Sequence, residues 1–420
     1  MKTEVFISLY LDTRRKKANN KYPVKLRVFT TEPRKQMLYP TVFDFTIAEF
    51  DTVWLKPKKK PQEEEKNLAK KLRAVVKKAD DVIDELEIFS FEQFERKLYL
   101  KAGEGENVFY HYELMIQNLK ANNQIGTASN YQLSLKSLKE FIITENSKHP
   151  DKLNFSKITP KWLQQYENFM TDSPRERSLT TVSMYLRALR TIFNNAISEN
   201  EIKQDIYPFG KKKYQMPSVR NVKKALSNDE LKLLFTAKAL TKEQEKAKDF
   251  WFFSYACNGI NIKDIALLKY SDINGDSISF YRAKTIKTSK TNLKPVIIYL
   301  TDFNRSIIEK YSNKDTKSQN YIFPIISNKN TELENFKLIK NFTKFINQNL
   351  KKLAKEIGIT SDISTYWARH SFATNAIRKG ASMEFVSEAL SHSNLLITQG
   401  YFSGFEDDVK KELSNKLMDF

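Results

Sequence analysis

Three residue types near the end of the chain form a set that can handle a phosphate group. Arg369, His392 and Tyr401 follow one another in this order. A guanidinium can hold two phosphate oxygens, an imidazole can move a proton, and a phenol can attack phosphorus. Tyrosine is a poor nucleophile at neutral pH because its ordinary pKa is about 10, so it needs cations that take up the developing charge. The set therefore predicts transfer of a phosphodiester onto tyrosine.

The charge of the chain favours a polyanionic partner. The 420 residues include 70 Lys+Arg and 50 Asp+Glu, for a net charge of +20. Such an excess favours nucleic acid, whose counterions are released on binding, over the alternative of a solvated lysine-rich surface. Together with the tyrosine, it predicts an enzyme that cuts DNA through a phosphotyrosyl link and reseals it.

Composition argues against several other classes of protein. The single cysteine, Cys257, excludes an intrachain disulfide and lies in an apolar run, which predicts a buried side chain. No Cys/His zinc pattern, glycine-rich phosphate loop or apolar run of membrane-spanning length is present. The segment 1–10 carries acidic Glu4 and no long apolar core, unlike a signal peptide. We therefore expect a cytoplasmic, nucleoid-associated protein with no metal, cofactor or membrane partner.

Residues 1–103 have the pattern of a small sheet followed by helices. Strands are predicted at 3–9, 22–30 and 37–43, and helices at 62–87 and 90–100. Arg14 and Arg15 belong to the basic tip between the first two strands. The sheet is predicted either to lay strands in a DNA groove or to be an ordinary sheet with a solvated turn.

The middle of the chain is helical by pattern. Within a region spanning 104–208, apolar spacing predicts helices at 108–122, 127–145, 159–170 and 179–199. Arg187 and Arg190 lie on the polar face of the last helix and are candidates for phosphate contacts. A basic linker at 209–225 follows, in which Lys211, Lys212 and Lys213 are expected to be flexible and to follow a DNA backbone.

The last region, 226–420, mixes helices with one hairpin. Ser227 and Glu230 predict a capping box at its first helix. Strands are predicted at 277–284 and 294–300, and helices near 302–312, 335–357, 366–379 and 383–390. These elements must position the arginine, histidine and tyrosine.

Four segments of the chain carry a resemblance to a known family. They are Thr365-Tyr-Trp-Ala-Arg-His-Ser-Phe-Ala-Thr374, Glu388-Ala-Leu-Ser-His392, Tyr401 nine positions further on, and the helix at 183–193. With them the chain resembles the tyrosine recombinase (phage integrase) family, and most of all integrases of Bacteroidetes mobile elements and phages. The resemblance implies a multidomain, mainly α fold with α+β parts: a small N-terminal β-sheet arm domain, a helical SAM-like core-binding bundle, and a mostly α catalytic domain with a short β-hairpin sheet.

The resemblance also implies a role for each site residue. Tyr401 would attack the scissile phosphate, form a 3′-phosphotyrosyl bond and release a 5′-hydroxyl. Arg369 would hold phosphate oxygens, and His392 would hydrogen-bond the phosphate and help to move the phenol proton. Neighbouring His370, on another helix face, is expected to support Arg369.

A hairpin lysine is the implied general acid. Lys284 matches the family's lysine that protonates the departing 5′-oxygen, while Lys287 and Lys290 lie nearby as alternatives. No metal ion or other cofactor is needed, because the cations are supplied by the protein itself.

Two positions depart from the family pattern. Tyr366 replaces a histidine three residues before the second arginine, and a phenol can donate a hydrogen bond to phosphate but cannot act as a cation. Asn258 and Asn261 stand where the first catalytic arginine is sought. Either Lys263 or Arg282 replaces that arginine, or Asn261 donates a neutral hydrogen bond, or the enzyme is slow.

The implied function is site-specific recombination or integration for a mobile element or phage. The partners would be double-stranded DNA sites, bound by a homotetramer that is a monomer when free, with accessory DNA-bending or directionality proteins. Two alternatives stay open: a non-catalytic DNA-binding relative that acts as a regulator, and a type IB topoisomerase.

Overall fold

The chain forms two compact units. The computed structural model describes residues 4–86, 88–100, 103–145, 150–218, 225–286, 294–392, 394–401, 410–411 and 414–415. One unit comprises Met1–His111, Ile142–Trp162 and Ile192–Pro208, and the other comprises Tyr112–Phe141, Leu163–Thr191 and Phe209–Phe420. The predicted division into domains at 103, 208 and 225 stays a prediction.

The first unit begins with the expected three-stranded sheet. Strands β1 (Val5–Leu11), β2 (Tyr22–Thr30) and β3 (Lys35–Phe45) are antiparallel and lie in the order β1-β2-β3. Alternate residues of β2 face a core shared with helices α2 (Glu63–Asp84) and α3 (Phe91–Tyr99). A one-turn helix, α1 (Ile47–Phe50), connects the sheet to this core. The sheet prediction is confirmed, because alternation of apolar and polar residues specifies a half-buried strand.

The basic tip between β1 and β2 holds an ion pair. The Arg14 guanidinium donates to both carboxylate oxygens of Asp12 at 2.7 and 2.8 Å, and Lys25 Nζ lies 2.9 Å from the same carboxylate. These bonds, that of Arg14 foremost, hold the pKa of Asp12 well below its ordinary value. Arg14 is therefore partly occupied by an internal partner, whereas Arg15 is exposed.

Four helices follow, at nearly the predicted positions. They are α4 (Val108–Ala121), α5 (Ile125–Thr144), α6 (Pro160–Thr171) and α7 (Leu179–Ser198). Arg187 and Arg190 are exposed on α7. A residue that contacts phosphate must be exposed, but so are the residues of any solvated helix face. The exposure of these two arginines therefore does not distinguish the two roles.

The start of the predicted linker is folded rather than flexible. Phe209 and Tyr214 are buried and pair through a short β-bridge, and the Tyr214 hydroxyl donates to the Glu167 carboxylate. The prediction of a flexible segment is therefore wrong for residues 209–214. It was based on the many lysines of this segment and did not consider its two aromatic residues. Lys211, Lys212 and Lys213 are exposed on the turn between the anchors, while 219–224 lie outside the described residues.

The remainder is mostly helical and carries a second small sheet. Its helices are α8 (Asn228–Thr236), α9 (Lys242–Ala256), α10 (Ile262–Leu267), α11 (Asp302–Tyr311), α12 (Glu332–Glu356), α13 (Thr365–Arg378), α14 (Met383–Ala389) and α15 (Leu395–Gln399). The Ser227–Glu230 capping box is present at α8. In the described part of the chain, no helix is both long and apolar enough to cross a membrane.

The second sheet is shorter than predicted. Strands β4 (Ile273–Asn274), β5 (Ser277–Phe280) and β6 (Val296–Tyr299) lie in the order β4-β5-β6. Residues 281–286 leave the strand, so Lys284 lies beyond its end. Around the central helix α9, aromatic residues such as Phe250 and Phe253 form the core, in which Cys257 is buried as predicted.

Candidate active site

Arg369 is the most buried charged residue of the site. It lies in the middle of α13 and is only 3% exposed. Its two terminal nitrogens donate to backbone carbonyls, Nη1 to Gly259 at 3.1 Å and Nη2 to Leu390 at 2.5 Å. Burial lowers the pKa of Arg369, and the nearby Arg282 charge adds to this effect. The main chain thus fixes the guanidinium without neutralising it.

Gly259 allows the backbone of α13 to come close to the turn before α10. A Cβ atom at position 259 would lie 2.7 Å from the Cα atom of Arg369, and the φ angle of Gly259 is +67°. Both the contact distance and the left-handed conformation favour glycine. The sequence therefore places glycine where the arginine's helix meets the turn.

His392 is held as a neutral imidazole. Its Nε2 atom lies 3.2 Å from Arg369 Nη2, and its Nδ1 atom lies 2.9 Å from Thr398 Oγ1. Because a guanidinium only donates, Nε2 must accept, and the proton is assigned to Nδ1. Burial, together with the charges of Arg369, Arg282 and Lys284, lowers the pKa of His392 to about 4.

This low pKa gives a measurable prediction. The unfolded chain binds a proton on the imidazole near the ordinary pKa of 6.5, whereas the folded chain resists it down to about 4. Folding stability is therefore expected to fall as the pH drops from about 6.5 through about 4. ¹⁵N NMR of the four histidines, with His392→Gln for assignment, should find His392 as the Nδ1–H tautomer at pH 6. Titration of this residue near pH 6.5 would contradict the geometry.

Tyr401 lies directly after α15 and is packed among rings. Its ring stacks on His370 with centroids 4.4 Å apart, lies 5.0 Å from the His392 ring, and is 5.8 Å from the Arg369 guanidinium carbon. Thr374 Oγ1 donates to its backbone carbonyl at 3.1 Å. The structure thus brings Tyr401, His392 and Arg369 together.

Tyr366 also belongs to this cluster. It lies in the first turn of α13, is 46% exposed, and its hydroxyl is 2.7 Å from the hydroxyl of Tyr401. A side chain three positions before Arg369 lies on a neighbouring part of the same helix face. Tyr366 therefore contacts the phenol of Tyr401 itself.

An arginine from the hairpin lies beside Arg369. Arg282 Nη1 donates to the Leu390 carbonyl at 2.9 Å, the same oxygen that accepts from Arg369. A small cavity is lined by Asn258, Arg282 and Arg369, among others, and not by Lys263, which is exposed. Asn261 begins α10 as its N-cap residue and does not line this cavity.

Asp264 supports the segment that carries Arg282. Its carboxylate is 4% exposed, accepts the backbone N–H of Ala283 at 2.9 Å, and lies 4.0 Å from Arg282 Nε. Burial raises the pKa of Asp264, although the bond from Ala283 and the nearby cations oppose this. The residue after Arg282 is thereby tied to α10.

Lys284 is the least fixed of the predicted site residues. It is exposed in the turn after β5, and its charge contributes to the lowered pKa of His392. Of its alternatives, Lys287 and Lys290 lie outside the described residues.

The two arginines keep unused hydrogen-bonding capacity. Within the described chain, the Nε atoms of Arg282 and Arg369 are buried and have no hydrogen-bond partner. A buried donor without an acceptor is costly, and more so on a charged group. The pair is therefore suited to bind an anion with several oxygens, such as a phosphodiester. No group of three or more metal-ligating side chains occurs among the described residues.

Several features of the site were not found from the sequence. His370 stacks on Tyr401, whereas it was expected only to support Arg369. It lies four residues after Tyr366, which is about one helical turn, and it also contacts the ring of Tyr366. The Thr398 hydroxyl is the partner of His392 Nδ1. Threonine is a common residue, and no sequence motif marks this one. The Leu390 carbonyl is a backbone atom and has no sequence signal.

Comparison with known proteins assigns the chain to a family. The family model "Phage integrase SAM-like domain" matches residues 107–216, and "Phage integrase family" matches residues 224–406. The chain belongs to the phage integrase family of tyrosine recombinases, enzymes that break and rejoin DNA.

Individual relatives are distant in sequence. A tyrosine recombinase of Thermosipho africanus is 29% identical over 238 residues, covering 55% of this chain and 72% of the relative. Tyrosine recombinase XerD of Oceanobacillus iheyensis is 23% identical over 300 residues, covering 70% and 91%. The solved structure of the Tn1549 transposon integrase with a circular intermediate DNA has a TM-score of 0.50 at 14% identity, covering 74% of this chain and 99% of that one. This last likeness is one of fold.

Proposed function

We propose that this recombinase is the integrase of a mobile element or phage and that Tyr401 is its nucleophile. The observation that carries the assignment is the pair of guanidinium groups of Arg282 and Arg369, which donate to the same Leu390 carbonyl, with Arg369 lying 5.8 Å from the centre of the Tyr401 ring. A phosphodiester combines oxygens that this pair can bind with an electrophilic centre that a phenol can attack.

The proposed reaction starts with phosphate binding. Arg369 and Arg282 hold the non-bridging oxygens, and Arg282 takes the role of the first arginine that Asn261 does not fill. His392 hydrogen-bonds the phosphate as the Nε2–H tautomer, in which its Nδ1 atom accepts from the Thr398 hydroxyl instead of donating to it. These groups stabilise the charge that develops at phosphorus.

The chemical step exchanges one ester for another. The phenol of Tyr401 releases its proton to solvent, its oxygen bonds to phosphorus, and the bond from phosphorus to the 5′-oxygen breaks. Lys284 gives a proton to that 5′-oxygen and is reprotonated from water. The resulting 3′-phosphotyrosyl ester keeps the energy of the broken bond, so a 5′-hydroxyl from another strand can reverse the step.

Binding to double-stranded DNA is proposed for the exposed cations outside the site. They are Arg15, Arg187, Arg190, Lys211, Lys212 and Lys213, with Arg14 partly engaged by Asp12. We assign them to an arm domain at 1–103, a core-binding domain at 104–208 and a linker at 209–225, followed by the catalytic domain at 226–420. The working assembly is a homotetramer on nucleoid DNA in the cytoplasm, formed from monomers and directed by accessory DNA-bending or directionality proteins.

The experiment that tests this function traps the covalent intermediate. A duplex from the ends of the parent element, nicked so that the short cut strand diffuses away, prevents religation. The full-length protein is expected to form an adduct stable to denaturation, and peptide mapping is expected to place the nucleotide on Tyr401. Tight binding without an adduct would instead indicate a regulator, and relaxation of generic supercoiled DNA without a defined site would indicate a topoisomerase.

The role of Lys284 gives a separate prediction. Lys284→Ala is expected to slow single-turnover cleavage by about 10²–10³-fold, since a general acid contributes on this scale. A substrate whose leaving atom is sulfur needs no proton from an acid, so the same variant should cleave it at nearly the wild-type rate. An equal loss on both substrates would exclude Lys284 as the acid and direct attention to Lys287 and Lys290.

A further inference from the structure

The hydroxyl groups of two tyrosines meet at the centre of the site. Tyr366 Oη lies 2.7 Å from Tyr401 Oη, and their ring centroids are 6.1 Å apart. This separation is typical of a hydrogen bond between hydroxyl groups. One of the two oxygens is the proposed nucleophile, so the neighbour contacts a reacting atom directly.

Tyr401 is also held through its ring and its backbone, and the Arg369 side chain hydrogen-bonds its hydroxyl as well. His370 stacks on the ring face, with 26° between the two planes, and Thr374 holds the backbone carbonyl. His370 also makes an edge contact with the ring of Tyr366, at 4.8 Å between centroids. Because the His370 ring contacts both tyrosine rings, it helps to keep their two hydroxyl groups within hydrogen-bonding distance.

The direction of the hydrogen bond follows from which phenol keeps its proton. Burial raises the pKa of Tyr366 above the ordinary value of 10.0, and its bond to Tyr401 raises it further. When Tyr401 loses its proton for attack, Tyr366 therefore still has one to give. The bond can then run only from the Tyr366 hydroxyl to the Tyr401 oxygen.

We infer that Tyr366 is a catalytic residue that donates a hydrogen bond to the Tyr401 oxygen and stabilises the phenolate that attacks phosphorus. This inference rests on the proposed function of Tyr401. No proton is transferred between the two phenols, because the Tyr401 proton goes to solvent and that of Tyr366 stays in place. The role differs from the phosphate contact expected from the sequence, in which Tyr366 would donate to the substrate.

Other charged and titratable groups also face Tyr401. Arg369 and His370 come from the same helix as Tyr366, and His392 comes from the segment before α15. Arg282 and Lys284 act from the hairpin, through their effects on Tyr366 and His392 respectively. A test must therefore remove the Tyr366 hydroxyl alone and leave these cations and imidazoles unchanged.

The variant Tyr366→Phe meets this requirement, because it keeps the ring that His370 contacts. Tyr299→Phe, which removes a hydroxyl from a side chain that is 76% exposed on β6, is the matched control. Single-turnover cleavage of the nicked duplex is measured from pH 6 to 10. We expect the pH at which the rate of Tyr366→Phe reaches half its plateau to move up by about one to two units, since a hydrogen bond to a charged group contributes about 1.5–3 kcal/mol. The control should keep the wild-type profile.

A uniform fall in rate without a shift would overturn the inference and assign Tyr366 to the phosphate. A second measurement does not depend on cleavage. With 3-fluorotyrosine incorporated at position 401 of the full chain, the ¹⁹F chemical shift in the free protein should change in the Tyr366→Phe background and stay the same with Tyr299→Phe. A change in a protein that never forms an adduct would refute the proposed function but keep the hydrogen bond. An unchanged chemical shift in a protein that cleaves normally would refute the inference alone.

Discussion

Replacing Tyr401 by phenylalanine is expected to abolish the covalent DNA adduct, with a fall in the cleavage rate of at least ~10⁴-fold, as for removal of other enzymatic nucleophiles. The substitution removes one oxygen and keeps the ring that stacks on His370 and lies near Arg369. The fold and the affinity for DNA should therefore remain. Gel separation of denatured adducts on the nicked duplex measures the loss, and a band shift under native conditions measures binding.

Two comparisons make this result specific to position 401. Tyr299→Phe, at an exposed position of β6, alters another phenol of the same unit and should leave the adduct yield unchanged. An adduct that persists in Tyr401→Phe would move the nucleophile elsewhere, with Tyr366 as the first candidate because its hydroxyl lies 2.7 Å from that of Tyr401.

Replacing Arg282 by alanine is expected to slow cleavage by about 10²–10³-fold, the scale for loss of one preorganised contact to a developing anion. The guanidinium is mostly buried and donates to the same carbonyl as Arg369, so its position beside that arginine is fixed. Arg282→Lys should be intermediate, because an ammonium keeps the charge but cannot bind two oxygens in a fork. Single-turnover rates at saturating enzyme separate this effect from DNA binding.

Arg305→Ala is the control for general loss of positive charge. Arg305 is partly exposed and pairs with Asp276 at the surface, and its loss should leave the cleavage rate nearly unchanged. The double variant Asn261→Arg, Arg282→Ala should recover part of the lost rate if the two positions deliver a guanidinium to one place. Wild-type cleavage by Arg282→Ala, in a sample that melts normally, would show that the missing arginine has another replacement.

Much of the fold could be predicted from local patterns. The helix at 365–378, the capping box at Ser227 and the strand at 22–30 each satisfy a periodicity or a cap that neighbouring residues specify. The folded turn at 209–214 could not be predicted in this way. It depends on a bond between Tyr214 and Glu167, which are distant in sequence, while its lysines alone suggested a flexible segment.

The same division applies to the site. Arg369, His392 and Tyr401 could be selected because their types and order match a chemical task. The sequence left open which residue replaces the missing arginine. Choosing Arg282 over Lys263 requires knowing where β5 ends, because that position determines where Arg282 lies. The stacking of His370 on Tyr401 was missed because it joins α13 to a segment beyond α14 and α15.

The carbonyl of Leu390 shows why a search by position can overlook an arginine. It accepts hydrogen bonds from both arginines, and as part of the main chain it is retained whatever side chain stands there. A guanidinium from the hairpin therefore meets this acceptor although position 261 holds asparagine. The lack of arginine at an expected position is thus poor evidence for lost activity.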